Sequence, residues 1–197
     1  MTAALEHQPF ISPEDYLEGE KSAEIRHEYI LGRVVAMTGA SQEHETIALN
    51  LATAVKTRLR GKDCQVFMSG MKVRVPLPQK GDKFYYPDLL VSCDPADRQH
   101  RYFKEKPRLI VEVLSPHTES FDRGDKFADY RRLDRLEEFV LIAQDKKRVE
   151  IFRRDENGRW YLEDSEEEDT FELTSIGLSC SLTELYEGVD FAALDRE

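Results

Sequence analysis

The fold of this 197-residue chain is decided by the stretch Leu109-Ile110-Val111-Glu112-Val113-Leu114. Its length and its branched apolar residues predict a buried β-strand, yet a carboxylate stands among them. Strand alternation places Glu112 on one face with Ile110 and Leu114. An ionised carboxylate is costly to bury unless it is paired or bound to a metal. We therefore expect burial to raise the pKa of Glu112 unless a cation lies beside it.

A second carboxylate precedes another apolar strand in the stretch Pro87-Asp88-Leu89-Leu90-Val91. Two strands with one acid each predict a divalent-cation site on a sheet. Mg²⁺ or Mn²⁺ is usually held in phosphoryl-transfer sites by one or two carboxylates, waters and phosphate oxygens. The alternative for Glu112 is a structural ion pair with Arg108 or Arg131. The alternative for Asp88 is an ordinary Pro-Asp turn.

A third element is a helix predicted from about residue 122 to residue 133. Its Asp122, Lys126 and Tyr130 are spaced four residues apart and so share one face. A lysine beside two metal-bound carboxylates could orient or deprotonate an attacking water and stabilise the transition state. Alternatively, Asp122 caps the helix, the Lys126 side chain snorkels so that its ammonium reaches solvent, and Tyr130 is a core aromatic.

The remaining patterns predict an α/β (α+β mixed) fold with helices packed on a mixed sheet. Ser12-Pro13 is typical of a helix start, and Leu31-Gly32 of a hairpin turn. An apolar stripe predicts a long helix over residues 42–60. Strands are expected over residues 64–69, 71–75 and 89–93, and a meander of three strands over 139–143, 148–153 and 159–162. A loop is expected over 76–83 and a small helix near 182–186.

Composition is that of a soluble globular protein, with 40% hydrophobic and 34% charged residues. The apolar runs near residues 109–114 and 139–143 are too short to cross a bilayer. The first seven residues do not have the pattern of a secretion signal. Cys64, Cys93 and Cys180 are scattered and odd in number, so we expect isolated reduced thiols. These features predict a single domain in the cytoplasm, without a membrane partner.

The net charge of -11 argues against a general nucleic-acid coat, because such binding depends on Lys and Arg. The charge is unevenly distributed, with nine acids against one base over residues 155–172. Residues 96–135 have ten Lys or Arg against eight acids. The acidic run at 163–169 is expected to be a solvated loop. The segment with the candidate chemistry is therefore slightly basic.

The chain resembles the PD-(D/E)xK nucleases and, more closely, the Uma-two family of restriction-type endonucleases. The resemblance runs from about residue 12 to residue 176. It implies one restriction-endonuclease-like domain over residues 1–197 with a core of about 12–176, in which a central mixed β-sheet is flanked by helices. It also implies that Asp88 and Glu112 are metal ligands. The matching positions are Arg26-His27-Glu28, Gly32, Met37, His44, Tyr86-Pro87-Asp88, Glu112-Val113-Leu114-Ser115-Pro116, Asp122, Lys126 and Tyr130.

One position departs from the superfamily motif, which has a lysine two residues after the glutamate. This chain has Leu114 there. The resemblance implies that the role has moved to Lys126, which would reach the same space from the following helix. Lys72 or Lys83 could substitute, or the site could be degenerate.

Two further residues have alternative interpretations. The resemblance makes Glu28 an auxiliary acid near the metal, whereas the pattern of its hairpin also fits a solvent-facing residue. His44 falls in the first turn of a helix after a Ser41 cap, where an ordinary surface histidine is usual. A place in the site is the alternative for His44.

The resulting hypothesis is a Mg²⁺- or Mn²⁺-dependent endonuclease that hydrolyses DNA phosphodiester bonds. Asp88 and Glu112 would hold the metal, Lys126 would position the water, and Glu28 would contribute less. One alternative is a catalytically inactive binding or assembly protein with the nuclease fold. Another is a metal-dependent phosphohydrolase acting on small phosphates, which suits the net charge. A homodimer would suit cleavage of both strands.

Overall fold

The computed structural model describes residues 9–166 and 169–194, in which the chain forms six α-helices and thirteen β-strands. A 3-10 helix spans Pro95–Gln99 and a π-helical segment spans Asp122–Lys126. The helices are α1 (Pro13–Gly19), α2 (Gln42–Arg58), α3 (Glu119–Phe121), α4 (Phe127–Tyr130), α5 (Leu182–Leu185) and α6 (Phe191–Leu194). The strands are β1 (His27–Ile30), β2 (Arg33–Ala36), β3 (Gln65–Met68), β4 (Lys72–Leu77), β5 (Gly81–Tyr85), β6 (Leu89–Ser92), β7 (Phe103–Lys104), β8 (Pro107–Leu114), β9 (Glu138–Ala143), β10 (Arg148–Arg154), β11 (Trp160–Glu166), β12 (Thr170–Leu173) and β13 (Leu178–Ser181).

The strands of the described residues form three sheets. The largest has the order β11-β10-β9-β8-β6-β3, in which β8 and β9 are parallel and the other neighbours are antiparallel. A five-stranded sheet has the order β2-β1-β5-β4-β7, and β12 pairs with β13. The predicted α+β fold with mixed sheets and flanking helices is confirmed, with two large sheets in place of one.

The helix starts follow from their sequences. Ser12 accepts a hydrogen bond from the Asp15 N–H, with Pro13 at the first helical position, as predicted. Ser41 caps α2 in the same way and accepts the N–H of His44. The apolar stripe of α2 is buried, which confirms the predicted long helix.

The six-stranded sheet has an apolar core on each face. Leu109, Val111 and Val113 pack with α2 and α5 on one face. Ile110 and Leu114 pack on the other face with Tyr130. This is the alternation predicted for β8, and it places Glu112 on the Tyr130 face. The two buried faces explain why the central strands are apolar throughout.

The loop predicted over residues 76–83 is wrong in its limits. Strand β4 continues through Pro76 to Leu77, and β5 starts at Gly81, so the two strands form a hairpin. Pro76 lies beyond the short parallel pairing of β4 with β7, where its missing N–H has no ladder bond to make. The positive φ of Gln79 and Gly81 closes the turn.

The acidic run predicted to be a loop is partly strand. Glu163–Glu166 belongs to β11, which forms one edge of the six-stranded sheet and exposes most of its residues. Glu167 and Glu168 lie outside the described residues, as do the first seven residues that were examined for a secretion signal. An edge strand tolerates repeated charge because one of its edges is unpaired and its exposed side chains are hydrated by solvent.

The prediction of three reduced thiols is wrong for two of them, because Cys64 and Cys93 form a disulfide. Antiparallel pairing of Gln65 with Ser92 brings the two cysteines together across 29 residues of chain. Sequence spacing does not reveal this pairing of β3 with β6. Cys180 is a buried free thiol. No helix of the described residues has the length and apolar composition needed to cross a membrane.

Candidate active site

Asp88 and Glu112 lie level with each other on two neighbouring strands. Asp88 directly precedes β6, and the pairing of Leu89 with Val111 brings it beside the middle of β8. Asp88 Oδ2 accepts a hydrogen bond from the backbone N–H of Val113 at 2.7 Å. The two acids that the sequence singled out are therefore together at one end of the six-stranded sheet.

Glu112 is 3% exposed, and its partners come from the helical segment that follows β8. Its Oε1 accepts hydrogen bonds from Lys126 Nζ at 3.3 Å and from the Tyr130 hydroxyl at 3.1 Å. The predicted alternative of an ion pair with Arg108 or Arg131 is wrong. Arg108 pairs with Glu137 instead, and Arg131 is exposed.

The ammonium of Lys126 contacts three carboxylates of the site. Its Nζ lies 2.9 Å from Asp122 Oδ1, 3.1 Å from Glu28 Oε1 and 3.3 Å from Glu112 Oε1. The ammonium is only 6% exposed, so these interactions are poorly screened by water. Among the described residues, three carboxylates thus converge on one buried cation.

The helical segment with Lys126 differs from the continuous helix predicted over residues 122–133. It consists of α3, the π-helical segment Asp122–Lys126 and α4, and it ends at Tyr130. Asp122 is not a cap, since it lies inside the segment with its side chain on Lys126. π-Helical turns are rare and often occur at functional sites, and propensity patterns do not reveal them.

Glu28 reaches the site from β1 in the five-stranded sheet. It is 8% exposed and contacts Lys126, so the prediction of a solvent-facing residue is wrong. The pairing of β1 with both β2 and β5 puts this strand inside its sheet rather than at the edge. The sequence leaves both alternatives open, because the partner strand β5 begins within the Pro-, Gly- and Lys-rich stretch that predicts a loop over 76–83.

His44 is the site residue that the sequence interpretation undervalued. Its Nε2 lies 2.9 Å from Asp88 Oδ1, so His44 and the Val113 N–H hold the two oxygens of one carboxylate. The Ser41 cap fixes the helix start, which in turn fixes where His44 projects. The sequence signals were its match to the family pattern and its position three residues after the cap, and neither identifies the tertiary partner.

The alternative lysines have other partners. Lys72 donates to the Tyr86 hydroxyl, and Lys83 pairs with Asp129. Leu114, at the motif position for lysine, is buried in the apolar core. Of the arginines in and just after the helical segment, Arg123 bridges Glu119 and Glu150, while Arg131 and Arg132 are exposed.

The crowding of acids perturbs the ionisation of the site. Burial raises the pKa of the Glu112 carboxyl well above its usual range, and Lys126 offsets only part of this. Burial also raises the pKa of Glu28, again opposed by Lys126. For Lys126, burial lowers the pKa, but the three carboxylates outweigh it and bring the pKa well above its ordinary value. For His44, burial lowers the pKa, but the hydrogen bond and charge of Asp88 outweigh burial, so the pKa is raised above its ordinary value.

The carboxylate oxygens of the site are ligands suited to a hard divalent cation, although they do not form a complete coordination shell by themselves. No group of three His, Cys, Asp or Glu in residues 9–166 and 169–194 has the arrangement of a metal centre. Mg²⁺, however, commonly uses only one or two carboxylates and completes its shell with water and phosphate. Two buried carboxylate oxygens, Glu28 Oε1 and Asp122 Oδ1, have no described partner other than Lys126 Nζ. Asp88 and Glu112 could thus hold such an ion at a site rich in oxygen ligands.

Comparison with known proteins identifies the class of fold. A crystal structure described as that of a "putative nuclease" from Anabaena variabilis superposes with a TM-score of 0.72. It is 18% identical to this chain, and the match covers 89% of this chain and 97% of the other. The chain therefore shares its fold with that protein.

The chain belongs to the Uma2 family, whose description is "Putative restriction endonuclease" and whose model matches residues 13–183. The resemblance seen in the sequence is confirmed. The uncharacterized protein slr1290 of Synechocystis is 36% identical over 183 residues, or 93% of this chain and 95% of that protein. A second uncharacterized protein of Synechocystis, sll1609, is 29% identical over 150 residues, or 75% of this chain and 83% of that protein.

Proposed function

We propose that this protein is a Mg²⁺- or Mn²⁺-dependent endonuclease that hydrolyses DNA phosphodiester bonds. The observation that carries the proposal is the convergence of Glu112, Asp122 and Glu28 on Lys126, with Asp88 on the neighbouring strand. The restriction-endonuclease description of the family and the nuclease description of the structural neighbour support the same class of reaction.

In this proposal Asp88 and Glu112 hold the cation. Bound there, a divalent cation would supply Lewis-acid activation of water and neutralise phosphate charge. The Val113 N–H and His44 fix the orientation of the Asp88 carboxylate. The Tyr130 hydroxyl does the same for Glu112, because it donates to Oε1 from the apolar side of the site. Hydrogen-bonded outer partners of this kind orient metal ligands and strengthen binding.

Lys126 and Glu28 act on the water and the phosphate. An ammonium surrounded by carboxylates is a hydrogen-bond donor, so Lys126 would orient the attacking water and stabilise charge in the transition state. Glu28 contributes less, since in the structure its contact is with Lys126 and not with Asp88 or Glu112. Lys126 can fill the role of the motif lysine because it reaches Glu112 Oε1 from the following helical segment.

The wider predictions from the sequence belong to the same proposal. They are DNA as the substrate, a homodimer, a single domain over residues 1–197 with a core of about 12–176, and a cytoplasmic location. The location can be tested through Cys64 and Cys93, since disulfides are uncommon in the cytoplasm. The structure has these two cysteines in a disulfide, so the cytoplasmic proposal requires that blocking free thiols in intact cells before lysis finds them reduced. A disulfide trapped in the cells would contradict a cytoplasmic location.

The decisive experiment is cleavage of supercoiled and linear DNA with Mg²⁺ or Mn²⁺. We expect Asp88→Ala and Glu112→Gln to lower the cleavage rate by at least about a thousandfold, because each removes a metal ligand. Glu137→Gln is the control, since that acid is exposed and lies at the other end of the sheet, where it pairs with Arg108. Circular dichroism checks that each variant is folded under the assay conditions.

Other outcomes would select another function. Cleavage that survives both site substitutions would reject the proposed site. Wild-type protein with neither cleavage nor Mn²⁺ binding would favour a binding protein with the nuclease fold. Hydrolysis of a small phosphate ester that is insensitive to salt, without DNA cleavage, would favour a phosphohydrolase, because duplex binding weakens steeply as salt is added.

A further inference from the structure

Lys126 differs from Lys83 and Lys72 in the number of carboxylates that it contacts. Three acids lie within 3.3 Å of its Nζ. Lys83 is also largely buried and contacts the single carboxylate of Asp129 at 2.5 Å. The Lys72 ammonium donates to a tyrosine hydroxyl. Only at Lys126, among these three, does one ammonium offset the charge of several buried acids.

We propose that Lys126 is a built-in counter-ion that competes with the divalent cation for the carboxylate of Glu112. The inference rests on the proposed metal site and assigns Lys126 a second role within it. In the protein without metal, the ammonium offsets the charge of acids that are too buried for water to hydrate. When a cation binds at Asp88 and Glu112, the ammonium and the cation share Glu112 and repel each other.

The charge balance supports this competition. Glu112, Asp122 and Glu28 are 3%, 2% and 8% exposed, so neither solvent nor salt screens them well. With one ammonium among three carboxylates, the cluster keeps an excess of negative charge. Two of its oxygens, Glu28 Oε1 and Asp122 Oδ1, have no described partner other than the Lys126 ammonium. A cation bound at this site is attracted by the acids and repelled by Lys126, and both interactions act over only a few ångströms.

This role predicts a change in metal affinity that is not expected if Lys126 only orients the attacking water. Loss of a water-orienting lysine slows cleavage and leaves the affinity for a metal unchanged. Loss of a competing ammonium strengthens metal binding. The substitution Lys126→Met removes the charge and keeps the length and apolar character of the side chain. The dissociation constant for Mn²⁺ therefore separates the two roles without reference to cleavage.

The experiment is calorimetric titration of Mn²⁺ into the full chain as wild type, Lys126→Met, Lys83→Met and Asp88→Ala. We expect the dissociation constant to fall by about tenfold or more in Lys126→Met, because a unit positive charge is removed within contact distance of Glu112. Lys83→Met is the matched control and should bind Mn²⁺ as the wild type does. Asp88→Ala should lose binding.

Two results would overturn the inference in distinguishable ways. Unchanged or weaker Mn²⁺ binding in Lys126→Met, with binding lost in Asp88→Ala, rejects the competition and leaves the proposed metal site standing. Absence of Mn²⁺ binding in both the wild type and Lys126→Met rejects the competition and the proposed metal site together.

A second variant keeps the test informative if Lys126→Met does not fold. Glu28→Gln removes one of the three acids and leaves the lysine in place. If the cluster is overcharged, this change raises the melting temperature of the metal-free protein, and it lowers the further rise caused by saturating Mn²⁺. A melting temperature that falls on Glu28→Gln would show an ordinary stabilising salt bridge and would reject the counter-ion role.

Discussion

Two buried glutamates on adjacent parallel strands show how different the two ends of the central sheet are. Glu112 lies near the end of β8, and Glu138 is the first residue of β9, opposite Leu109. Both are almost fully buried, at 3% and 1% exposed. They have the same side chain, belong to the same sheet and lie on neighbouring strands. They differ in what surrounds the carboxylate.

The carboxylate of Glu138 has all the partners that it can use. Its Oε1 accepts from the backbone and hydroxyl of Thr174 at 3.0 Å each, and its Oε2 accepts from the backbone N–H of Ser175 at 3.1 Å. The Ser175 hydroxyl and Arg153 complete the set. Arg153 also donates to the Glu172 carbonyl, so this pair fastens the β12–β13 hairpin to the sheet.

The carboxylate of Glu112 is in the opposite situation. It shares Lys126 with two other acids, and its one neutral donor among the described contacts is the Tyr130 hydroxyl. The comparison shows that two equally buried acids can differ in the number of donors per carboxylate. A saturated acid has no capacity left for a cation or a substrate, whereas an acid with few donors keeps such capacity.

The largest effect that would separate the two glutamates is on stability. Glu138→Gln turns an amide NH₂ toward N–H and O–H donors and removes the main partner of buried Arg153, so it should cost about 3–5 kcal/mol of unfolding free energy. Glu112→Gln should stay within about 1 kcal/mol of wild type, because two acids still pair with Lys126. Urea unfolding measures both. Equal losses in the two variants would break the comparison.

A smaller effect is expected on metal affinity at His44. His44→Ala frees one oxygen of Asp88 from its partner, so it should weaken Mn²⁺ binding by about 10–100-fold, as loss of an outer partner usually does. Calorimetry measures this directly. The exposed His117 provides the matched control, and His117→Ala should bind as wild type does. Full affinity in His44→Ala would place His44 outside the site.

The smallest effect is expected on stability, from a change in the backbone of the π-helical turn and not in its charged side chains. Gly124 lies in the π-helical turn, and a Cβ there would meet no atom within 4 Å. Gly124→Ala should therefore raise the unfolding free energy by about 0.5–1 kcal/mol, through the lower entropy of the unfolded chain. Thermal unfolding measures it. Gly32→Ala is the contrast, since its φ is positive and its Cβ would strike the Phe10 ring. A loss of stability at Gly124 would mean that the π turn needs glycine.

The sequence predicted those parts of the fold that depend on local pattern. Ser12 and Ser41 as caps, the hairpin turn at Leu31-Gly32 and the two faces of β8 all follow from chemistry within a few residues. Asp88 and Glu112 were found because an acid beside an apolar strand is anomalous by itself. Their roles, like those of Lys126 and Glu28, stay predictions until they are tested.

What the sequence missed depends on contacts between distant segments. The disulfide follows from the pairing of β3 with β6, and the contact of His44 with Asp88 follows from how α2 packs on the sheet. The β12–β13 hairpin was not predicted, although Glu138 and Arg153 need it as a partner. The π turn was not predicted either, because its residues have the composition of an ordinary helix.

The π-helical turn has a consequence for how the chain can vary in length. The segment from α3 to α4 is the crossover that joins the parallel strands β8 and β9, so both of its ends are anchored in the sheet. Each residue of a helix turns the following side chains by about 100°. Deleting one residue between Asp122 and Lys126 would therefore swing the lysine away from the acids while the strands stayed in place. We therefore expect this crossover to tolerate substitutions at its exposed positions better than the loss or gain of one residue.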